Sequence, residues 1–322
     1  MLAKSETATE QPAPSSEASR VAILMCTRNG ARFLEAQLDS IATQSHANWS
    51  LTVSDDGSTD ATREILQRFA DTHPGRVKLV EGPRQGACAN FIALAADPAI
   101  DGDYFAFSDQ DDIWVPDKLR RAIDVLSAAP ADQPAMYCGR TELATEDGEV
   151  YGLSPLFSRR PSFQNALVQS LAGGNTTVFN RATKNLLELA GRLTVVSHDW
   201  WVYQLVSATG GLVHYDAQPV LKYRQHADNV MGANLGLRNQ LIRLRLALKG
   251  RFRQWNVTNL AALEHIPDHM IDSHSRTTIA LFQKARESSL PLRLLYLWRS
   301  GVYRQTFFGN LSLIAGALLN RI

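Results

Sequence analysis

At 322 residues, 45% of them hydrophobic and 20% charged, the chain has room for one large domain or a domain with an appendage, and its composition is that of an ordinary globular protein. The three cysteines, Cys26, Cys88 and Cys138, lie far apart, are odd in number and are in no metal-ligand spacing, so neither a disulfide framework nor a zinc site is indicated, and a reducing cytoplasm fits. The net charge of +1 is unevenly spread: Leu235 to Ile322 hold 13 Lys plus Arg against 4 Asp plus Glu, leaving an acidic front suited to a metal and nucleotide and a basic tail suited to an anionic surface.

Residues 1–19 are rich in Ala, Ser, Glu and Pro and lack the basic start and apolar stretch of a signal peptide, so they read as a disordered leader. Val21 to Cys26 is an apolar run, a strand, followed by the turn Thr27-Arg28-Asn29-Gly30 and a helical pattern through Phe33, Leu34, Leu38 and Ile41. Trp49 to Ser54 reads as the next strand. It ends in Asp55-Asp56-Gly57-Ser58-Thr59-Asp60, a turn rich in the residues that cap a helix, here Ala61 to Thr72. Val77 to Val80, a helix over Ala87 to Ala95, and Tyr104 to Ser108 repeat the cycle. The alternation predicts an α/β domain with a mainly parallel sheet flanked by helices.

Ligands of such sheets bind outside the carboxyl ends of the strands. Thr27 to Gly30, Asp55 to Asp60 and Asp109 to Asp112 all fall at such ends, so one site built from three loops is expected. A dehydrogenase is disfavoured because the first turn lacks the glycine-rich fingerprint, and no phosphate-binding P-loop sequence occurs.

The apolar run Phe105-Ala106-Phe107-Ser108 opens onto Asp109, Asp111 and Asp112, three carboxylates in four positions. They repel one another and pay for desolvation unless a cation or a donor-rich ligand sits among them. Oxygen donors favour Mg²⁺ or Mn²⁺, ions that usually also hold phosphates, so a nucleotide diphosphate is implied. The alternative is a solvated acidic turn capping a helix that starts near Pro116.

Further along, Leu171-Ala172-Gly173-Gly174-Asn175-Thr176-Thr177 is a small, polar segment of the kind that lets backbone approach a ligand. Ser197-His198-Asp199-Trp200-Trp201 opens a helix running to about Thr209, Val220 to Arg224 reads as a strand, and Gln225 to Gly232 is a loop. After Asn234 the pattern is helical and rich in arginine, a C-terminal α-helical appendage over 235–322 behind a catalytic domain over 20–234. No apolar stretch reaches the roughly 18 to 20 residues of a spanning helix. Leu290 to Tyr303 interleaves Leu, Tyr and Trp with arginines and Leu311 to Leu319 is apolar, so the tail either lies on an anionic leaflet or packs on the front domain. Aromatic platforms for nucleic acid are not evident in the front domain.

In their order, Val21 to Gly30, Val53 to Asp60, Phe107 to Trp114, Gly173 to Thr176, His198 to Trp201 and Tyr223 to Gly232 resemble glycosyltransferase family 2, the inverting sugar-nucleotide transferases of GT-A (Rossmann-like) fold. Ser108-Asp109-Gln110-Asp111-Asp112-Ile113-Trp114, with His198-Asp199-Trp200-Trp201 and Tyr223-Arg224-Gln225-His226, looks most like bacterial rhamnosyltransferases of polysaccharide assembly. The resemblance implies that Asp111, with Asp109 or Asp112 and with His226, binds the metal that bridges the donor's diphosphate. It implies that Asp56 hydrogen-bonds a pyrimidine, that Asp55 positions the nucleoside, and that Thr27, Arg28, Arg84 and Asn90 lie at the donor. Many members carry Arg where this chain has Ala89, and an acidic residue where it has His198.

Asp199 takes the role of general base, removing the acceptor hydroxyl's proton as its oxygen attacks the anomeric carbon. Gly173, Gly174, Asn175, Trp200 and Trp201 fall at the acceptor, although Asp199 also reads as a helix cap and the tryptophans as core. The implied donor is dTDP-L-rhamnose, with a UDP-hexose as alternative. The implied acceptor is a lipid-linked saccharide at the cytoplasmic face of the membrane. A nucleotidyltransferase would show a Gly-rich, basic start that is missing after Val21, and intact Asp56, Asp111 and Asp199 argue against a non-catalytic homologue.

Overall fold

The computed structural model describes residues 18–171, 173–226 and 250–322. Most of the expected leader, the loop beyond His226 and the 234/235 boundary lie outside those residues. Strands β1 (Val21–Thr27), β2 (Trp49–Asp55), β3 (Val77–Glu81) and β4 (Tyr104–Ser108) are connected by helices α1 (Ala31–Ala42), α2 (Thr62–Thr72) and α3 (Ala87–Ala95). They lie parallel in the order β3-β2-β1-β4. β1 is buried from end to end because both its faces are covered, which is why it reads as an unbroken apolar run. Ala22, Leu24 and Cys26 enter one core, and Val21, Ile23 and Met25 enter the other.

Beyond β4 the pairing changes. Helices α4 (Lys118–Leu126), α5 (Phe163–Ala166), α6 (Arg181–Ala190) and α7 (His198–Ala208) are interspersed with β5 (Ile113–Trp114), β6 (Ala135–Ala144), β7 (Val150–Leu153), β8 (Val178–Asn180) and β9 (Leu212–Arg224). The sheet continues β4-β8-β6-β9-β5, with β7 on β6. Within it β8 is antiparallel to β4 and β6, β5 is antiparallel to β9, and β6 and β9 are parallel. The sheet is therefore mixed, and the parallel expectation holds for its front four strands. The strict strand and helix alternation that signals parallel pairing stops at β4. β9 is also longer than its apolar end suggests, because its first half carries His214, Asp216, Gln218 and Pro219.

The C-terminal residues form α8 (Arg251–Leu263), α9 (Ser273–Glu287), α10 (Leu292–Ser300) and α11 (Phe307–Leu318). Phe252, Leu260, Phe282, Leu297 and Leu313 share a core with Phe91, Phe107 and Trp201 of the sheet domain. Trp255 meets Trp200 edge-on, with ring centroids 6.1 Å apart. The appendage thus packs on the front domain through one face. Among the described residues no helix is long and apolar enough to cross a membrane.

Candidate active site

The parallel register sets the carboxyl ends of β1, β2 and β4 on one edge, and three loops leave from there. The first two are cross-braced. Asn29 takes a left-handed φ of 49°, which Asn tolerates better than most residues, and its Oδ1 accepts from Thr59 N at 2.8 Å. Asp60 accepts from Ala31 N and Thr62 N, closing the starts of α1 and α2. Gln110 of the acidic loop accepts from Arg28 N at 2.8 Å and donates to Arg28 O at 3.1 Å. A Cβ at Gly30 would lie 2.3 Å from Gln110 Oε1, so the clamp needs glycine there.

At the end of β2 both carboxylates accept hydrogen bonds from the loops around them. Asp55 accepts from Ser58 N and Oγ, Gly57 N, Thr27 Oγ1 and, at 2.8 Å, Arg63 Nε. Burial raises its pKa, but the bonds from Ser58, Thr27 and Arg63 outweigh that, and the carboxyl sits below the usual range. Asp56, equally buried, accepts from Arg84 N at 2.5 Å and Gly86 N at 2.9 Å, fastening the loop after β3. Each of its oxygens keeps a second lone pair for a ligand. Arg84 adopts φ 59° to present that N–H, while its guanidinium remains exposed.

The acidic loop after β4 is short of donors. One oxygen from each of Asp109, Asp111 and Asp112 lies within 4.8 Å of the others. Asp109 and Asp111 keep an edge to solvent, whereas Asp112 is wholly buried. Asp112 Oδ2 accepts from Asn175 Nδ2 at 2.6 Å, and its Oδ1 has no partner. Burial, then Asp111, then Asp199 push the Asp109 carboxyl up to about 7, and Asp112 is driven well above the usual range by burial and its two acidic neighbours. His226 Nε2 meets Asp111 Oδ2 at 2.8 Å, its ring stacked on Phe33 at 4.5 Å. An oxygen-rich cluster with an orphaned buried oxygen and an imidazole at its rim fits a hard divalent cation.

The base of this loop is held by residues that sequence reasoning did not single out as functional. Arg224, at the end of β9, donates to Asp111 O at 2.6 Å and Phe33 O at 2.8 Å, so the strand that delivers His226 also pins the acidic loop. Lys118 is fully buried, lies 3.4 Å over the Trp114 ring and donates to Asn175 O at 2.5 Å. Gln37 of α1 bonds Ser108 Oγ at 2.9 Å. A charged residue closing a strand, as Arg224 does, is a usable signal. Lys118 carries none, since it reads as a surface lysine at a helix start.

Asp199 lies in the first turn of α7, where Ser170 Oγ donates to its Oδ2 at 3.3 Å, and its charge is among those that raise Asp109. Asp109 and Asp56 both bear on buried Cys26, and Asp199 bears on Cys88, so the three loops and α7 converge on one region. His198 stacks on Phe91 at 4.1 Å, and burial lowers its pKa to about 4 against the pull of Asp199, keeping it neutral.

Several expected site residues sit elsewhere. Trp200 and Trp201 belong to the core rather than an acceptor wall: Trp201 is 1% exposed, and Trp200 donates through Nε1 to Ala166 O. Asn90 is buried with both ends of its amide used by Ser54, so it ties α3 to β2 instead of reaching a donor. Asn175 works beneath the acidic loop, not at the acceptor. Thr27 gives its hydroxyl to Asp55, and Arg28 contributes main chain to the Gln110 clamp while its side chain stays exposed. Gly174 is taken up by packing, since a Cβ there would come 2.1 Å from His198 Nε2, while Gly173 is exposed.

A family model described as Glycosyl transferase family 2 matches residues 22–186. The chain is 30% identical over 254 residues to dTDP-rhamnosyl transferase RfbG of Shigella flexneri, a match covering 74% of this chain and 83% of that protein. It is 35% identical over 106 residues to the Escherichia coli UDP-Glc:alpha-D-GlcNAc-diphosphoundecaprenol beta-1,3-glucosyltransferase WfgD, covering 33% and 40%. Among solved structures, the mannosyltransferase PcManGT from Pyrobaculum calidifontis in complex with GDP-Man and Mn2+ superposes with a TM-score of 0.51 at 21% identity, covering 94% of this chain and 87% of that one. S. aureus TarS 1-349 in complex with UDP superposes with a TM-score of 0.51 at 12% identity, covering 86% and 78%.

Proposed function

The chain belongs to glycosyltransferase family 2, a glycosyltransferase of GT-A fold, and from that premise we propose that it moves L-rhamnose from dTDP-L-rhamnose to a saccharide acceptor with inversion at the anomeric carbon. The observation that carries the reading is the donor-poor cluster Asp109, Asp111 and Asp112, its ligand oxygens within 4.8 Å of one another, with Asp199 near enough for its charge to raise Asp109. Asp111 with Asp109 or Asp112 would hold Mg²⁺ or Mn²⁺, with His226 at the rim of the cluster. When bound, that ion neutralises the charge gathering on the departing diphosphate. Asp56 reads the thymine through its spare lone pairs, Asp55 holds the loop that positions the nucleoside, and Arg84 reaches the donor from the next loop. The 30% identity to a dTDP-rhamnosyl transferase supports this donor over a UDP-hexose.

Asp199 accepts the proton from the acceptor hydroxyl as the oxygen attacks the face opposite the leaving group. Ser170 fixes the carboxylate's orientation. The exposed Gly173 turn offers main chain to the acceptor, which we take to be a lipid-linked saccharide of surface polysaccharide assembly at the cytoplasmic face of the membrane. The catalytic domain then spans 20–234 and the helical region 235–322.

The test is thermal stabilisation against dTDP-, UDP- and GDP-sugars with Mn²⁺, Mg²⁺ or chelator, followed by product analysis with dTDP-L-rhamnose. A cation-dependent shift confined to dTDP-sugars is expected. A shift confined to UDP-sugars overturns the rhamnose assignment, and turnover undiminished in chelator overturns the metal.

A further inference from the structure

The last two helices present an apolar face that no described residue covers. Of the 19 large apolar side chains exposed among the described residues, ten fall between Leu290 and Leu319. Trp298 and Phe308 are each 79% exposed and Phe307 is 73% exposed, so three aromatics stand almost wholly in water. α10 buries Leu297 and turns Trp298 outward, while α11 buries Leu313 and Ala317 and turns Phe307, Phe308, Leu311, Ile314 and Leu318 outward. Arg293, itself buried, donates to Ala317 O at 3.0 Å and locks the two helices together. Clustered exposure on this scale marks an interaction surface.

Charge says what covers it. From Ser288 to Ile322 there are four arginines, Arg293, Arg299, Arg304 and Arg321, and no Asp or Glu. Arg299 and Arg321 are exposed. A second copy meeting the same face through a two-fold axis would bring arginine against arginine, whereas an anionic surface complements it.

The face is also joined to the site. The connection between α10 and α11 is bonded to α5 and the segment after it: Asn165 Nδ2 donates to Tyr303 O at 2.9 Å and Gln305 N donates to Gln169 Oε1 at 2.8 Å. The next residue, Ser170, donates to Asp199.

We propose that α10 and α11 dock the protein on an anionic lipid bilayer, with Trp298, Phe307 and Phe308 at the acyl boundary and Arg299 and Arg321 among the lipid phosphates. Resting on the glycosyltransferase reading for its purpose, this docking holds Asp199 beside an acceptor that the membrane presents.

The test is co-sedimentation of the full chain with vesicles of phosphatidylcholine alone or mixed three to one with phosphatidylglycerol, alongside tryptophan quenching by brominated lipid. Binding about 25-fold tighter to the anionic vesicles is expected, from about fivefold for each of the two arginines, with quenching lost in Trp298→Phe. Trp298→Ser with Phe307→Ser and Phe308→Ser lowers binding about tenfold or more, and Arg299→Gln with Arg321→Gln lowers it about fivefold per arginine on anionic vesicles alone. Leu189→Ser, an exposed leucine of α6, binds as the wild type does.

Failure of the wild-type protein to sediment, or undiminished binding by the triple serine variant at wild-type thermal stability, overturns the docking. So does light scattering that finds a dimer which the triple variant abolishes, because a second copy is then the occupant. Transfer to a water-soluble acceptor is measured in parallel. Its loss in the wild-type protein speaks against the proposed function alone, and vesicle binding speaks to the docking alone.

Discussion

Two groups of aspartates stand at neighbouring strand ends, and the protein satisfies one and leaves the other short. Asp55 and Asp56, after β2, are met by hydroxyls, main-chain N–H groups and Arg63. Asp109, Asp111 and Asp112, after β4, crowd one another, and Asp112 Oδ1 meets nothing. The contrast separates carboxylates that brace loops, Asp55 fully and Asp56 with one lone pair on each oxygen to spare, from a cluster short of donors. A carboxylate whose bonds are all made inside the protein stabilises a loop, whereas a cluster with fewer donors than lone pairs keeps free energy in hand for a charged ligand.

The largest effect expected from breaking this contrast is at Asp199, the proposed base. Asp199→Asn lowers kcat by about 10²- to 10⁴-fold, while donor-induced thermal stabilisation and the unfolding midpoint stay near wild type. Steady-state kinetics with calorimetry checks it, and near-normal turnover would remove Asp199 from the role of base. Next comes Asp111→Asn. A divalent cation at about one hundred times its Kd stabilises the wild-type protein by about 2.7 kcal/mol, and this variant loses that gain. Calorimetry with and without chelator reads it.

Asp55→Asn behaves in the opposite way. It keeps the cation-induced gain but destabilises the fold by about 2 kcal/mol, because Arg63 and Ser58 lose a charged acceptor. Its pH dependence gives the sign. A carboxyl held below its unfolded pKa contributes stability that is present above that unfolded value and is lost as pH falls through the folded one. Chemical denaturation between about pH 5 and 2 therefore shows a flatter acid limb in Asp55→Asn than in the wild-type protein. An unchanged limb would mean that the Asp55 bonds persist in the unfolded chain.

What the sequence could tell divides along the same line. The front strands are legible because burial on both faces writes an unbroken apolar run, as in β1. The acidic loop is legible because three carboxylates in four positions have few inexpensive structural explanations. Residues whose meaning depends on distant neighbours are not legible. Asn90 and Asn175 are polar residues in suggestive places, and only the approach of Ser54 and Asp112 makes them braces. Trp200 and Trp201 carry the same letters whether they line a cleft or fill a core, and α5 and α8 decide for the core. β6 and the polar half of β9 pair across more than seventy residues, so neither advertises its partner locally.

Arg84 gives the smallest expected effect and the finest cut through the comparison. Its main chain belongs to the satisfied group, since the N–H that Asp56 accepts comes from a residue held at φ 59°. Its guanidinium belongs to neither, for it is 72% exposed and 3.9 Å from Glu81, a separation at which an exposed pair contributes little. Arg84→Ala therefore retains the bond to Asp56 and changes stability by no more than about 0.5 kcal/mol. An arginine free to reach an anionic donor from solvent adds about threefold in affinity, so titration calorimetry with the nucleotide sugar should show a loss of that size. A loss beyond tenfold would mean that the bound donor draws the guanidinium out of water, and the loop after β3 would then join the acidic loop as part of the grip on the diphosphate.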